Sequence, residues 1–209
     1  MSEKVTITWR GHSCFKLEDS GYTILTDPYA DNNVPGMAPL RDQANLVLAS
    51  HGHGDHGAVD LIECVETDQP NPFTITSVTC PHDDADGAKR GMVTIRVFDN
   101  GTLRIAHFGD IGCPLSKEQR AQIGQLDVAM VPVGGFYTME PDGIQELMTQ
   151  LNPRIVIPMH YRSETFGYPV IGTIDAFLQY RDDVVVYDTN VLEVTKETPS
   201  QTAVLKYLG

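Results

Sequence analysis

The run Ser50-His51-Gly52-His53-Gly54-Asp55-His56-Gly57 places four potential metal ligands between positions 51 and 56. Imidazole nitrogen and carboxylate oxygen together suit divalent ions such as zinc. In extended backbone the side chains at i and i+2 point the same way, so His51 and His53 can converge on one ion as a strand runs out. Glycine at 52 and 54 frees the backbone to bring them together. Asp55 and His56 follow at a turn that can present them to a second position close by. The spacing is not helical, which separates it from the His-Glu-x-x-His arrangement of helical zinc proteases. A solvated turn would account for one histidine, but not economically for three histidines and an aspartate packed this closely. Later in the chain His82, Asp110 and His160 each lie at the end of an apolar run. The last follows Ile155-Val156-Ile157.

This stretch resembles the His-x-His-x-Asp-His motif of the metallo-β-lactamase superfamily, and the superfamily's later motifs occur in order. His82 in Thr79-Cys80-Pro81-His82-Asp83 matches the third metal histidine. Asp110 in His107-Phe108-Gly109-Asp110-Ile111-Gly112 matches the bridging aspartate, and His160 in Ile157-Pro158-Met159-His160-Tyr161 the final histidine. Asp27 in Thr26-Asp27-Pro28 resembles the early strand-end aspartate that supports the ligands from behind. The likeness runs from about Trp9 to Tyr161. It implies one site of His51, His53 and His82, another of Asp55, His56 and His160, and Asp110 bridging two divalent ions. Zinc is the first expectation for the metal, with manganese, iron and nickel compatible.

Two further segments narrow the resemblance. Trp9-Arg10-Gly11-His12-Ser13-Cys14-Phe15 and Pro132-Val133-Gly134-Gly135-Phe136-Tyr137-Thr138-Met139 are similar to the compact hydrolases related to L-ascorbate-6-phosphate lactonase. There a Gly-His-Ser or Gly-His-Ala element and a Gly-Gly loop border the active site. By that likeness His12 binds substrate, donates a proton or braces a ligand, unless it is structural. Tyr137, Thr138 and Tyr161 become pocket candidates. His107, inside a strand, reads as core or as a support for the ligands.

The elements that must position these residues follow from hydrophobic periodicity. Strands are expected over Val5–Trp9, Cys14–Leu17 and Tyr22–Leu25, with Asn45–Leu48 as a short, fully buried strand. The polar stretch from Asp27 to Arg41 is expected to loop over the site. Phe73–Val78, Met92–Phe98 and Leu103–Phe108 continue the strand pattern, the last two joined by an Asn100-Gly101 hairpin signal. Beyond residue 114 helix and strand alternate: helices at Ser116–Ile123, Pro141–Leu151 and Ile174–Tyr180, and strands at Val128–Val133, Arg154–Pro158, Val184–Tyr187 and Ala203–Lys206. With no linker, repeat or low-complexity segment, one α/β (α+β) domain over residues 1–209 is expected. The resemblance implies a four-layer αβ/βα sandwich with metals at one edge.

A chain of 209 residues with 41% hydrophobic and 21% charged residues is globular. Its 28 acidic and 15 basic side chains give a formal charge of −13, which disfavours nucleic acid and anionic membranes as partners. The first residues, Met1 to Trp9, show no apolar core of the kind a signal peptide needs, and a cytoplasmic setting with four free, buried cysteines is expected. No serine-nucleophile elbow or phosphate-binding loop competes with the metal motif.

The resemblance therefore implies a metal-dependent hydrolase in which a metal-bridging hydroxide cleaves a small, anionic ester, lactone or phosphodiester. Asp55 serves there both as ligand and to orient that hydroxide. Two other readings stand beside it: a mononuclear iron enzyme like the thiol-persulfide dioxygenases, and a non-catalytic metal-binding domain.

Overall fold

The computed structural model describes residues 4–209. Its strands are β1 (Val5–Gly11), β2 (Cys14–Asp19), β3 (Tyr22–Thr26), β4 (Gln43–Ala44), β5 (Leu46–Leu48), β6 (Glu63–Cys64) and β7 (Thr74–Pro81). They continue with β8 (Met92–Asp99), β9 (Arg104–His107), β10 (Val128–Pro132), β11 (Ile155–Met159), β12 (Val184–Val186), β13 (Val191–Val194) and β14 (Gln201–Val204). Three helices accompany them: α1 (Lys117–Ile123), α2 (Pro141–Leu151) and α3 (Asp175–Leu178).

Two main sheets face each other. One has the order β13-β1-β2-β3-β5, the other β12-β14-β11-β10-β9-β8-β7. Alternation along the strands divides their side chains between layers. Phe15, Leu17 and Ile24 point into the core shared with the second sheet, whereas Cys14 and Leu25 face outward. The outer face is covered by Tyr29, Val34, Met37, Leu40 and Ile62, so the Asp27–Arg41 segment and a short 3₁₀ turn, Val59–Leu61, form that layer. The outer layer of the second sheet contains α2, whose Ile144, Leu147, Met148 and Leu151 fall on one face and are buried. Proline starts α2 and left-handed Asn152 ends it. A Ser116–Gln119 capping box starts α1.

Strand direction places the site. β1 and β3 both pair antiparallel with β2, and β5 pairs parallel with β3, so β1, β3 and β5 finish at the same edge. In the second sheet β9, β10 and β11 are mutually parallel, and β7 shares their direction through antiparallel β8. His12, Asp27 and the 51–56 run leave the ends of β1, β3 and β5. His82, Asp110 and His160 leave those of β7, β9 and β11. Residues remote in sequence thus meet at one seam between the sheets.

Several expectations need correction. β5 is half-buried rather than fully buried, because it lies at the open edge of its sheet. The helix expected over Ile174–Tyr180 shrinks to Asp175–Leu178, which lacks a side-chain cap. The last strand lies at Gln201–Val204, before the Ala203–Lys206 expected. β13 was not foreseen. Cys14 and Cys80 are buried, but Cys64 is exposed and Cys113 half-buried, and all four are free thiols. Among the described residues no helix is long and apolar enough to cross a membrane.

Phe98 is fully buried, with its ring 6.1 Å from that of Phe73. Phe98→Ala leaves a cavity between the sheets and should lower unfolding stability by about 3–5 kcal/mol in urea denaturation. A loss below about 1 kcal/mol would contradict this packing.

Candidate metal centre

Asp110 is the hub. Its Oδ2 lies 3.1 Å from His56 Nε2, 3.3 Å from His160 Nε2, 3.5 Å from His82 Nε2 and 4.0 Å from His51 Nε2. Two donor sets converge around it. His51, His53 and His82 form one, with His51 Nε2 and His53 Nδ1 3.0 Å apart. Asp55, His56 and His160 form the other together with His12, with Asp55 Oδ2 3.5 Å from His56 Nε2 and 4.0 Å from His160 Nε2. Two nitrogens bound to one tetrahedral zinc at about 2.0–2.1 Å would themselves lie about 3.3 Å apart, so the spacing suits shared ions. The seven expected ligands are therefore brought together.

For two of the rings, His51 and His56, the groups behind them fix which nitrogen is presented. Asp27 Oδ1 accepts Ser50 N–H at 2.6 Å, and its Oδ2 accepts the Ser50 hydroxyl at 2.6 Å and His56 Nδ1–H at 2.8 Å. With its hydroxyl hydrogen on Asp27, Ser50 can only accept from His51 Nδ1 at 2.9 Å. His51 and His56 are both left with Nε2 facing Asp110, the usual way a metal-binding imidazole is held by an outer partner. His107 stands behind in turn: its Nε2 faces Ser13 O at 2.8 Å, and its Nδ1 accepts Gly109 N–H at 3.1 Å and lies 4.0 Å from Asp27 Oδ2. This is the supporting role that the sequence left open for His107.

His12 is buried at the same seam. Its Nε2 lies 3.2 Å from Asp55 Oδ2, and its ring centroid 4.1 Å from that of His160. Burial, then His160, lower its pKa to about 4, so a neutral His12 can donate Nε2–H to Asp55 at neutral pH. Trp9 Nε1–H and His160 N–H both point at the His12 carbonyl, at 3.0 and 3.3 Å. This contact places His12 against Asp55, within the same donor cluster.

The electrostatics are those of a site built for cations. Burial, then His56, push His51 down to about 4, which leaves a free lone pair at neutral pH. Burial opposes the charge on Asp110, yet His160 and His56 hold it well below the usual carboxylate range. Burial likewise opposes a charge on His56, but Asp110, Asp27 and Asp55 raise its pKa well above normal. A proton on His56 thus occupies the place of a metal, and metal binding should displace it. His56 Nε2, His160 Nε2 and Asp110 Oδ1 are buried without a hydrogen-bond partner, an expensive state unless a cation uses them.

The backbone is bent to build this cluster. His12, Asp27 and His160 all adopt left-handed conformations, at φ of 49°, 48° and 52°, which histidine and aspartate tolerate better than most residues. Two glycines admit close approach: a Cβ on Gly112 would lie 2.2 Å from the His82 carbonyl carbon, and one on Gly134 2.3 Å from His160 O.

The pocket candidates divide. Tyr137 is half-buried and borders the site through Tyr168, at 6.1 Å between rings. Thr138 is buried beside it, its hydroxyl turned to Met139 O. Tyr161 stacks on Trp9 at 5.6 Å and belongs to the core behind the site, because the turn at His160 swings its successor inward. Sequence reasoning missed Tyr168, whose ring lies 5.7 Å from that of His12 and whose hydroxyl donates to Asn33 at 2.5 Å. It also missed Ser50, although its place between Asp27 and His51 was signalled by adjacency to the ligand run.

Comparison with known proteins agrees with this geometry. Residues 6–160 match the Beta-lactamase superfamily domain. A UPF0173 metal-dependent hydrolase from Thermoplasma acidophilum is 31% identical, over 77% of this chain and 85% of that protein. Among solved structures, a Thermotoga maritima chain assigned to the Zn-dependent hydrolases of the metallo-beta-lactamase superfamily superposes with a TM-score of 0.75. It is 32% identical, and the match covers 96% of this chain and 97% of that one. A metallo hydrolase from Ignicoccus hospitalis shares the fold at a TM-score of 0.66, with 22% identity over 93% of this chain and all of that one.

Gly134→Ala forces the His160 backbone outward. It should weaken zinc affinity roughly 10- to 100-fold, the range seen when an outer support of a metal ligand is lost, in competition with a chromophoric chelator. Wild-type affinity in a folded variant would show that His160 is not held in this way.

Proposed function

Because the chain belongs to the beta-lactamase superfamily, among its metal-dependent hydrolases, we propose that it cleaves a small-molecule ester, lactone or phosphodiester using two divalent ions. His51, His53 and His82 would hold one ion and Asp55, His56 and His160 the other, with Asp110 serving both. What supports this reading is the convergence of both donor sets on Asp110 Oδ2, with His56 Nε2, His82 Nε2 and His160 Nε2 all within 3.5 Å of it. No cysteine enters either set among the described residues, and imidazole with carboxylate suits zinc.

Bound there, the ions would supply Lewis acidity and a water whose pKa falls toward about 7. The protein's own groups do the rest. Asp27 and Ser50 engage Nδ1 of His56 and His51, so that Nε2 of each ring is aimed inward, where an ion would displace the His56 proton. His12 Nε2–H holds Asp55 Oδ2, so this carboxylate keeps a fixed lone pair with which to orient the attacking water. His53 is exposed while His56, His82 and His160 are buried, so substrate approaches from the His53 side. No serine or cysteine nucleophile is needed.

A panel of chromogenic 4-nitrophenyl esters, a lactone and bis(4-nitrophenyl) phosphate, assayed with added Zn²⁺, tests this reading. At least one substrate should be turned over, and His53→Ala should lower its kcat/KM by more than about 100-fold, the upper range for losing even an outer support. Rates equal in wild type and variant would favour a non-catalytic metal-binding domain. Near-stoichiometric iron with a visible absorption band would overturn the hydrolase reading in favour of redox chemistry.

A further inference from the structure

Beside the metal centre runs a groove of about 360 Å³ bounded by Asp83, Arg90, Gly112, Tyr137 and Glu140. Asp83 follows the ligand His82 directly, and Gly112 lies two positions beyond Asp110. The Arg90 guanidinium sits 5.4 Å above the Tyr137 ring. From there aromatic contacts lead to the candidate donor cluster: Tyr137 meets Tyr168 at 6.1 Å, Tyr168 meets His12 at 5.7 Å, and His12 contacts Asp55.

Arg90 differs from every other arginine of the described chain. Arg10, Arg41, Arg104, Arg154 and Arg181 pair with aspartates. The guanidinium groups of Arg96, Arg120 and Arg162 bond to a hydroxyl or to backbone carbonyls. That of Arg90 has only the Tyr137 face, in a chain where acids outnumber bases 28 to 15. The carboxylates around it are engaged elsewhere. Asp83 accepts the backbone N–H groups of Ala85, Gly87, Lys89 and Arg90, Asp84 pairs with Lys89 at 2.6 Å, and Glu140 accepts Phe136 N–H at 3.1 Å. A guanidinium that lies over an aromatic ring and has no carboxylate partner keeps its N–H donors for a two-pronged contact with an oxyanion.

We propose that Arg90 on Tyr137 forms a subsite for a second, non-reacting anionic group of the substrate, a carboxylate or a phosphate, while the scissile bond lies at the metals. The inference rests on the hydrolase reading for the reaction, but the subsite is testable by binding alone. Zinc-loaded protein is titrated calorimetrically with butyrate, with succinate, glutarate and adipate, and with 4-phosphonobutyrate. At least one dianion should bind wild type about tenfold more tightly than butyrate, the worth of one charge-assisted hydrogen-bonded contact. That advantage should vanish in Arg90→Ala, return in part in Arg90→Lys, and leave zinc content unchanged in both. Whether the dicarboxylates or the phosphonate gain more identifies the group. No dianion preference in wild type, or an equal preference in Arg90→Ala, overturns the subsite. Failure of the turnover panel with an intact dianion preference would instead overturn the hydrolase reading and leave the subsite standing.

Discussion

A buried aspartate ringed by imidazoles governs this protein. Asp110 carries its charge where burial opposes it, and burial, then His56, press the facing His51 down to about 4. Protons alone therefore satisfy the cluster poorly, and Nε2 of His56 and His160 stays without a partner. The lone pairs left over are of the kind that a divalent cation would take. The remaining features of the site serve to hold this arrangement together before any ion arrives.

That holding is done by strand direction and by a second layer of polar groups. Six strands finish at one seam, so each ligand needs only a short excursion from a rigid element, and positions as distant as His12 and His160 come to lie 4.1 Å apart between ring centroids. Asp27 then fixes Ser50 and His56, Ser50 fixes His51, and His12 fixes Asp55. The left-handed backbone at His12, Asp27 and His160 is strain that the surrounding pairing overrides, as is common where a site must be preorganised.

The candidate donors were legible in the sequence because metal chemistry admits few residue types and the 51–56 run packs four of them together. Their grouping about Asp110 rested on the resemblance; the structure brings the seven side chains together and adds His12 to the Asp55 set. Strands with clear alternation, such as β1, and the proline-initiated α2 were legible for the same reason: their periodicity is strong and their ends are marked. Weaker signals failed where tertiary position decides. β5 has a buried-strand composition but lies at a sheet edge, and α3 has apolar spacing without a cap. Tyr161 was drawn into the pocket by its neighbour His160, whose turn in fact sends it back to Trp9. Tyr168 and Arg90 carry no local motif, and only the folded chain shows that Tyr168 stands beside His12 and Arg90 over Tyr137.

Zinc K-edge X-ray absorption of the fully loaded protein tests the central claim most directly. Ligation by imidazole and carboxylate predicts a nitrogen and oxygen shell at about 2.0–2.1 Å and a zinc–zinc vector near 3.5–4 Å, with two ions per chain. A spectrum with one zinc per chain, no metal–metal vector and a sulfur shell at about 2.3 Å would contradict a dinuclear centre organised around Asp110.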